Sequence, residues 1–343
     1  MSPPPRLWTI LKRGGGGARA WASTLHFVLI YAYGTLRVIN TNGALMTKTW
    51  KLLSTALLVL ICSEQSALSD TGTLEKIKSS GVMTLAYRES SIPFSYLGGE
   101  GQPVGFGWEI CGKIVDQVKR TVARPDLKIQ IQSVTSQNRI PLLTNGTIDI
   151  ECGSTTNNSE RAKQVDFAIN YFYTGTRFLV KTDSGIKSIS DLKGKKVVST
   201  TGTTNFQILR KLNTEQNLGF ELIGAKDHAE STLLVIQGRA DAFGMDDVLL
   251  FGNRASALNP SELVVVGDPI QVEPYAIMMR KDDAAFKKLV DDTLSSMMKS
   301  GEFESLYKKW FQSPIPPKGI NLNAPMSKEL KDNLKTLSDK PST

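Results

Sequence analysis

The 343-residue chain predicts an α/β fold of two units, each a doubly wound sheet with flanking helices. Two observations carry this. From residue 82 onward, apolar runs of strand length alternate with segments whose apolar residues recur at helical spacing. That alternation runs to about residue 152, then starts again near 178, so two α/β sets of similar size follow one another. Hydrophobic content of 41% and charged content of 22% are those of a globular chain and exclude a disordered or collagen-like one.

The elements follow in order. Thr73 can cap a short helix that Gly81 ends. Val82–Tyr87 reads as a strand, and Arg88 to Gly107, rich in Ser, Pro and Gly, as a loop. Ile110, Ile114, Val115, Val118 and Val122 mark a helix face; Leu127–Gln132 alternates as a half-buried strand. Ser136 caps a helix through Leu143, with Gly146 beyond its end, and Ile148–Cys152 is again strand-like. Further strands are expected at Arg177–Lys181, Lys195–Ser199, Phe220–Gly224, Ala240–Gly244, Leu263–Val266 and Tyr275–Arg280. Helices are expected at Phe206–Asn217, Glu230–Gly238, Asp246–Ala257 and Ala284–Ser300. Ser188–Gly194 is a short capped helix rather than a phosphate loop, and the tail Ser327–Leu337 is weakly periodic and solvated. The chain crosses between the units near Thr176–Val180 and Asp268–Tyr275.

The first 69 residues stand apart from this fold. Met46–Lys51 is basic, Leu52–Ile61 is an apolar stretch of ten residues, and Cys62–Ser69 ends in small residues. This is the pattern of a secretory signal peptide cleaved near Ser69; the apolar stretch is short of the roughly 20 residues a membrane span needs. Residues 1–45 read as an N-terminus begun too early, with Met46 the functional start. The formal charge is +8, with a pI near 9.2, which by itself suggests a phosphate-bearing partner. Residues 1–69 hold seven of the Lys/Arg and one acid, so the remainder carries only +2 and no nucleic-acid partner is expected.

The three cysteines form no CxxC pair, His26 and His228 are the only imidazoles, and HExxH, GxSxG and GxxxxGK[ST] motifs are absent. Zinc hydrolases, nucleophile-elbow hydrolases and P-loop NTPases are thereby disfavoured, and neither metal nor cofactor is expected. Ligands of open α/β sheets sit beyond the carboxyl ends of strands. There the sequence supplies Arg88, Ser136–Arg139, Gly153–Asn157 with Arg161 behind it, Thr200–Asn205, Lys226–His228 and Met245–Asp247. Three guanidinium groups, several hydroxyls and one Asp make a poor catalytic set. They match a ligand with two carboxylates and one ammonium, because the planar fork of Arg pairs with carboxylate through two bonds. An acidic amino acid has that pattern.

The same stretches resemble a known family. They are Arg88-Glu-Ser-Ser-Ile-Pro-Phe-Ser95, Ser136-Gln-Asn-Arg-Ile-Pro-Leu-Leu143, Glu151-Cys-Gly-Ser-Thr-Thr-Asn-Asn158 with Arg161, Gly202-Thr-Thr204, Ala225-Lys-Asp-His228, Met245-Asp-Asp247, and Trp310-Phe311 with Pro314-Ile-Pro-Pro317. Over nearly all of residues 70–343 the chain resembles periplasmic solute-binding proteins of polar amino-acid ABC transporters, most closely the glutamate/aspartate branch. The resemblance implies a type II two-lobed fold: lobe 1 from residues 70–178 and 271–343, lobe 2 from 179–270, joined by two hinge strands. It implies a monomer that binds L-glutamate or L-aspartate and delivers it to a membrane permease. It assigns the α-carboxylate to Arg161 with Thr156 and Thr204, the α-ammonium to Asp246 and Ser154, and the side-chain carboxylate to Arg88, Ser136, Arg139 and His228.

Other readings remain at this point. A Ser154–His228–Asp246 triad can be drawn, although nothing in the sequence brings the three together. A dehydratase or murein lyase on the same fold needs an acid facing the cleft, for which Glu89 and Glu109 are the nearest candidates. A sensory role can be added to transport. Phe94 and Tyr96 are core or cleft-wall aromatics, and Asp247 is a helix N-terminal acid. Cys111 and Cys152 are either a disulfide or two buried thiols.

Overall fold

The structure, a computed structural model, describes residues 72–342; the segments 1–45 and 46–69, with Cys62 and His26, lie outside the described residues. Helix α1 (Thr73–Ser80) ends at Gly81, whose φ of 69° turns the chain into strand β1 (Val82–Tyr87). Gly72, not Thr73, is the N-cap. The Thr73 N–H is bound at 2.6 Å by the carboxylate of Asp283, so a tertiary partner replaces the expected local cap.

The segment expected to be a loop after Arg88 contains a small antiparallel ribbon, β2 (Ser90–Ser91), β3 (Ser95–Leu97) and β4 (Pro103–Val104). Its serines are buried, which hides the strand signal: Ser carries no apolar alternation. Helix α2 (Phe106–Thr121) buries Ile110, Ile114, Val115 and Val118 as their spacing demands. Strand β5 (Lys128–Ser133) pairs with β1 alone; at this sheet edge Ile129 and Ile131 are 36% and 45% exposed rather than half buried.

Helix α3 (Arg139–Thr144) begins two residues later than the sequence predicts, with Asn138 rather than Ser136 at its N-cap position. Thr135 and Asn138 bond each other's backbone N–H groups through their side chains, so Ser136 is released from capping and turns inward. Short strands β6 (Ile150–Glu151) and β7 (Val165–Phe167) follow, then the long strand β8 (Phe172–Lys181). The second α/β set is β9 (Lys196–Thr200), α4 (Thr204–Glu215), β10 (Glu221–Ala225), α5 (His228–Ile236), β11 (Ala242–Asp246), α6 (Asp247–Ser256) and β12 (Leu263–Val266). Between β8 and β9, Ser188 forms a full capping box with Asp191 over a single turn of 3-10 helix.

The strand expected at Tyr275–Arg280 is two strands, β13 (Val272–Tyr275) and β14 (Met278–Arg280), because the chain leaves one sheet and enters the other there. Helix α7 (Ala284–Ser300) matches its expectation; α8 (Glu302–Phe311) was not among the helices the sequence predicts. Nor is the tail solvated. Helix α9 (Lys328–Thr336) buries Leu330 and Asn333, and Asn333 Nδ2 donates to the Asn170 carbonyl at 2.7 Å.

Two mixed sheets define two lobes. The first runs β5-β1-β6-β14-β7, with β14 antiparallel to its neighbours. The second runs β10-β9-β11-β8-β12, with β9, β10 and β11 parallel and β8 antiparallel to β11 and β12. Strand β8 joins them: Thr176–Lys181 belongs to the second sheet, while Phe172–Gly175 pairs antiparallel with β13. These two strands are the connection. In the first lobe Phe94 sits in an aromatic core, edge-on to Phe106, Phe172, Tyr275 and Phe311.

Cys111 and Cys152 are bonded, their Cα atoms 5.9 Å apart, which ties α2 to the residue before Gly153-Ser154. On the other flank of that loop, the tail pairs with the chain: Ser342 N donates to the Asn157 carbonyl and Ser159 N to the Ser342 carbonyl. The disulfide closes a separation of 41 residues. A Cys111→Ser/Cys152→Ser variant should lose about 3–4 kcal/mol of unfolding free energy in a urea titration, from loop-closure entropy. A loss below about 1 kcal/mol would contradict that role.

Candidate functional site

The carboxyl ends of the parallel strands in both sheets face one small cavity. Its walls include Ser136, Arg139, Ser154, Thr156, Thr204, His228 and Asp246, seven of the nine residues singled out by sequence. The other two, Arg88 and Arg161, are buried against those walls, 2% and 8% exposed. Arg88 follows β1 and Arg139 opens α3. Arg161 lies in the turn after the Gly153–Asn158 loop, Thr204 and His228 are the first residues of α4 and α5, and Asp246 ends β11.

Arg88 Nη2 donates to Ser136 Oγ at 2.9 Å and lies 3.4 Å from His228 Nε2. A guanidinium can only donate, so Nε2 accepts and the ring proton resides on Nδ1. That nitrogen faces Thr200 Oγ1 at 2.9 Å. Ser231 gives its own proton to the Asp227 carbonyl, so Thr200 donates to Ser231 Oγ at 3.0 Å. The donors therefore run in one direction, from Arg88 through His228, Thr200 and Ser231 to a backbone oxygen. Arg139 Nη1 donates to the Ser154 carbonyl at 3.4 Å. Arg161 binds the carbonyls of Thr156 at 2.9 Å and Gly202 at 3.2 Å, one from each lobe.

At the other end, Asp246 Oδ1 accepts from Asn205 Nδ2 at 2.8 Å, and its Oδ2 from the Tyr275 hydroxyl. Burial, and next the charge of Glu273, push the Asp246 carboxyl well above the ordinary carboxylate range. Burial and then repulsion from Arg139 lower Arg88 to about 10 and Arg161 to about 9, and burial lowers Arg139. A guanidinium keeps its proton inside proteins, so each of these groups is a cation. Among buried polar atoms of the described residues, Arg88 Nη1 and Arg139 Nε have no hydrogen-bond partner. Two charged donors thus remain for an anion.

Sequence reasoning missed several members. Glu151 is fully buried, takes the Thr155 hydroxyl at 2.5 Å, and offsets the charge of Arg88 and Arg139. Glu273 and Tyr275 belong to the same network, as do Thr200 and Asn205 from the stretch named after the strand Lys195–Ser199. One signal was available: Glu273 is a lone acid in the otherwise uncharged run Val272–Tyr275, where the chain crosses between lobes. The Ser154–His228–Asp246 triad does not assemble. Ser154 Oγ donates to Ser91 Oγ, while His228 and Asp246 engage the partners given above. Glu89 binds the exposed Ser133 hydroxyl and Glu109 pairs with Lys309, both away from the cavity. Phe94 and Tyr96 are core residues, and Asp247 is the first residue of α6.

Burial, followed by the charges of Arg88 and Arg139, depresses His228 well below 6.5. The folded state keeps this ring neutral while the unfolded chain titrates near 6.5, so below that pH the unfolded state binds the extra proton. Its contribution is complete above about pH 6.5 and falls by up to about 1.4 kcal/mol per pH unit beneath it. The stability gap between the protein and its His228→Gln variant should therefore shrink by about 2 kcal/mol from pH 7 to pH 5. Parallel denaturation curves at the two pH values would contradict a buried neutral ring.

The chain is similar to several known proteins. The L-glutamate/L-aspartate-binding protein of Pseudomonas aeruginosa is 51% identical over 291 residues, 84% of this chain and 96% of that protein. The glutamate/aspartate import solute-binding protein of Escherichia coli is 47% identical, covering 84% of this chain and 97% of its own length. A mutant of ArgBP from T. maritima superposes with a TM-score of 0.62 at 27% identity, over 70% of this chain and 99% of that one. No helix among the described residues is long and apolar enough to cross a membrane. Residues 83–313 match a single family, and with two α/β lobes closing on one charged cavity the chain belongs to the bacterial extracellular solute-binding proteins, family 3.

Proposed function

We propose that the protein binds L-glutamate or L-aspartate in the cavity between its lobes and delivers it to the permease of an ABC transporter. The observation that carries this is the cavity's polarity. Three buried guanidinium groups approach it, two of them with unpartnered N–H donors, and the carboxyl group of Asp246 lines the same cavity. Arg161 takes the α-carboxylate, beside the backbone N–H groups of Thr156 and Thr204, whose hydroxyls are held by Glu273. Asp246 and Ser154 take the α-ammonium, which favours the ionised form of Asp246. Arg88, Ser136, Arg139 and His228 form the end that takes the side-chain carboxylate; His228 does so chiefly by holding Arg88. The names and high identity of the Pseudomonas and Escherichia relatives support the same ligands.

Lobe 1 comprises residues 70–178 and 271–343 and lobe 2 residues 179–270, and they close as a monomer over the ligand about β8 and β13. The segment Met46–Ser69 directs export to the periplasm and is removed near Ser69. An oxidising compartment also suits the Cys111–Cys152 bond.

Calorimetric titration with a panel of amino acids tests the assignment; heat from basic or apolar amino acids alone would overturn it. Arg161→Ala should weaken every amino acid ligand on the order of 100-fold or more, through loss of a buried charged pair. Arg139→Ala should strike acidic ligands far harder than neutral ones, so equal losses across the panel for both variants would refute the division of roles.

Closure itself can be tested at Gly202. A Cβ there would lie 2.5 Å from Gln137 Cα and 2.8 Å from the Ser136 carbonyl carbon, on a backbone with φ of 78°. Gly202→Ala should wedge the lobes and weaken ligand binding about tenfold or more. Small-angle scattering at saturating ligand should then give a larger radius than for the unmodified protein; an unchanged radius would contradict the close approach.

A further inference from the structure

Glu273 is the buried charge whose place in the site the ligand assignment leaves unexplained. It is 1% exposed and lies on β13, one of the two strands that connect the lobes. Its Oε2 accepts from Thr156 Oγ1 at 2.9 Å and from Thr204 Oγ1 at 2.7 Å. Thr156 belongs to the loop after β6, in the first lobe, and pairs with Tyr275 through an isolated bridge. Thr204 opens α4 in the second lobe. The two hydroxyl oxygens are 3.3 Å apart, and both threonines wall the cavity. One carboxylate on the connection thus gathers a hydroxyl from each lobe.

We propose that Glu273 is a positioning residue of the ligand site: its carboxylate commits the hydroxyl protons of Thr156 and Thr204, coupling closure of the two lobes to the orientation of two cavity-wall oxygens. The chemistry is restrictive. A hydroxyl has one proton and two lone pairs. Whether each threonine donates to Glu273 directly or Thr156 passes through Thr204, both protons stay within this group of oxygens. The Thr156 and Thr204 oxygens then present only lone pairs to the cavity. With Asp246 they form an acceptor wall suited to an ammonium, and the closed geometry alone assembles it, since Thr204 moves with the second lobe. Without an acceptor at residue 273 the hydroxyls would be free to turn their protons inward, where they would favour a carboxylate and oppose an ammonium.

This rests on the acidic amino acid reading, and one set of titrations separates the two. Glutamate and glutarate, the diacid without the ammonium, are titrated into the unmodified protein and into Glu273→Met, glutarate by competition against glutamate. The Met side chain offers the threonine hydroxyls no carboxylate acceptor, so they are free to turn their protons inward. The ratio of glutamate to glutarate affinity should fall at least tenfold, while glutarate binding holds or strengthens. A merely structural role would weaken both ligands alike; an unchanged ratio overturns the proposal. Thr204→Val keeps the shape of the second-lobe partner and removes its hydroxyl. It should also lower the ratio, with faster glutamate release, and it decides the question if Glu273→Met fails to fold. An unmodified protein that binds neither glutamate nor aspartate overturns the ligand assignment and this proposal together, whereas glutamate binding with an unaltered ratio in both variants overturns the role of Glu273 alone.

Discussion

Burying three like charges around one small cavity is the constraint on which the rest of the site depends. At short range in a protein interior, unit charges interact by several kcal/mol, and each guanidinium also gives up its hydration. The depressed pKa values of Arg88 and Arg161 express that cost. The surrounding structure offsets it in two ways. Glu151, Glu273 and Asp246 supply three buried carboxyl groups to three guanidiniums, and backbone carbonyls of Ser154, Thr156 and Gly202 accept from Arg139 and Arg161. The carboxyl groups cannot all be equally comfortable: Asp246, with Glu273 for a neighbour, holds its proton more tightly than a free carboxyl. A cation next to Asp246 relieves that conflict, so this end of the site is matched to an ammonium and the unpartnered guanidinium donors to a carboxylate.

Much of this was legible in the sequence, for identifiable reasons. Strands β1, β9, β10 and β12 and helix α7 fall within a residue or so of their expected limits, because periodicity is imposed by burial on one face. The nine residues that the family resemblance assigns lie past strand ends, and the structure brings all nine to or against one cavity. What escaped was set by partners far away in sequence. Thr73 lost its capping role to Asp283, 210 residues distant. Ser136 looked like a cap by its type and position, yet its hydroxyl serves Arg88. The tail helix has a polar composition, and only its docking on Asn170 reveals which face is buried. Glu151 and Glu273 are invisible to hydropathy, since an acid in a strand reads as solvent-facing until its buried counter-charges are known.

The binding loop Gly153–Asn158 shows how rigidity is supplied to a segment without regular structure. The Cys111–Cys152 bond fixes its start to α2, pairing with the tail fixes its far end, and Thr156 bridges to Tyr275 in its middle. Tyr171 donates to the Gly153 carbonyl from below. Each tether comes from a different part of the chain. Backbone carbonyls of Ser154 and Thr156 can thus hold Arg139 and Arg161, although neither guanidinium has an ion-pair partner within 4.0 Å among the described residues.

Several contacts cross the cleft without involving any ligand atom. Gly202 lies on the Gln137 backbone, Gly252 on the Ile92 carbonyl, and Asn253 Nδ2 donates to the Ser90 carbonyl at 3.2 Å. These contacts contribute to the equilibrium between open and closed forms before any solute arrives. Apparent affinity is the intrinsic affinity of the closed form scaled by how often that form is populated. The lips of the cleft therefore act as a gain control. Substitutions there can move the working concentration range of the protein up or down for every solute by one common factor, leaving its order of preference among them untouched.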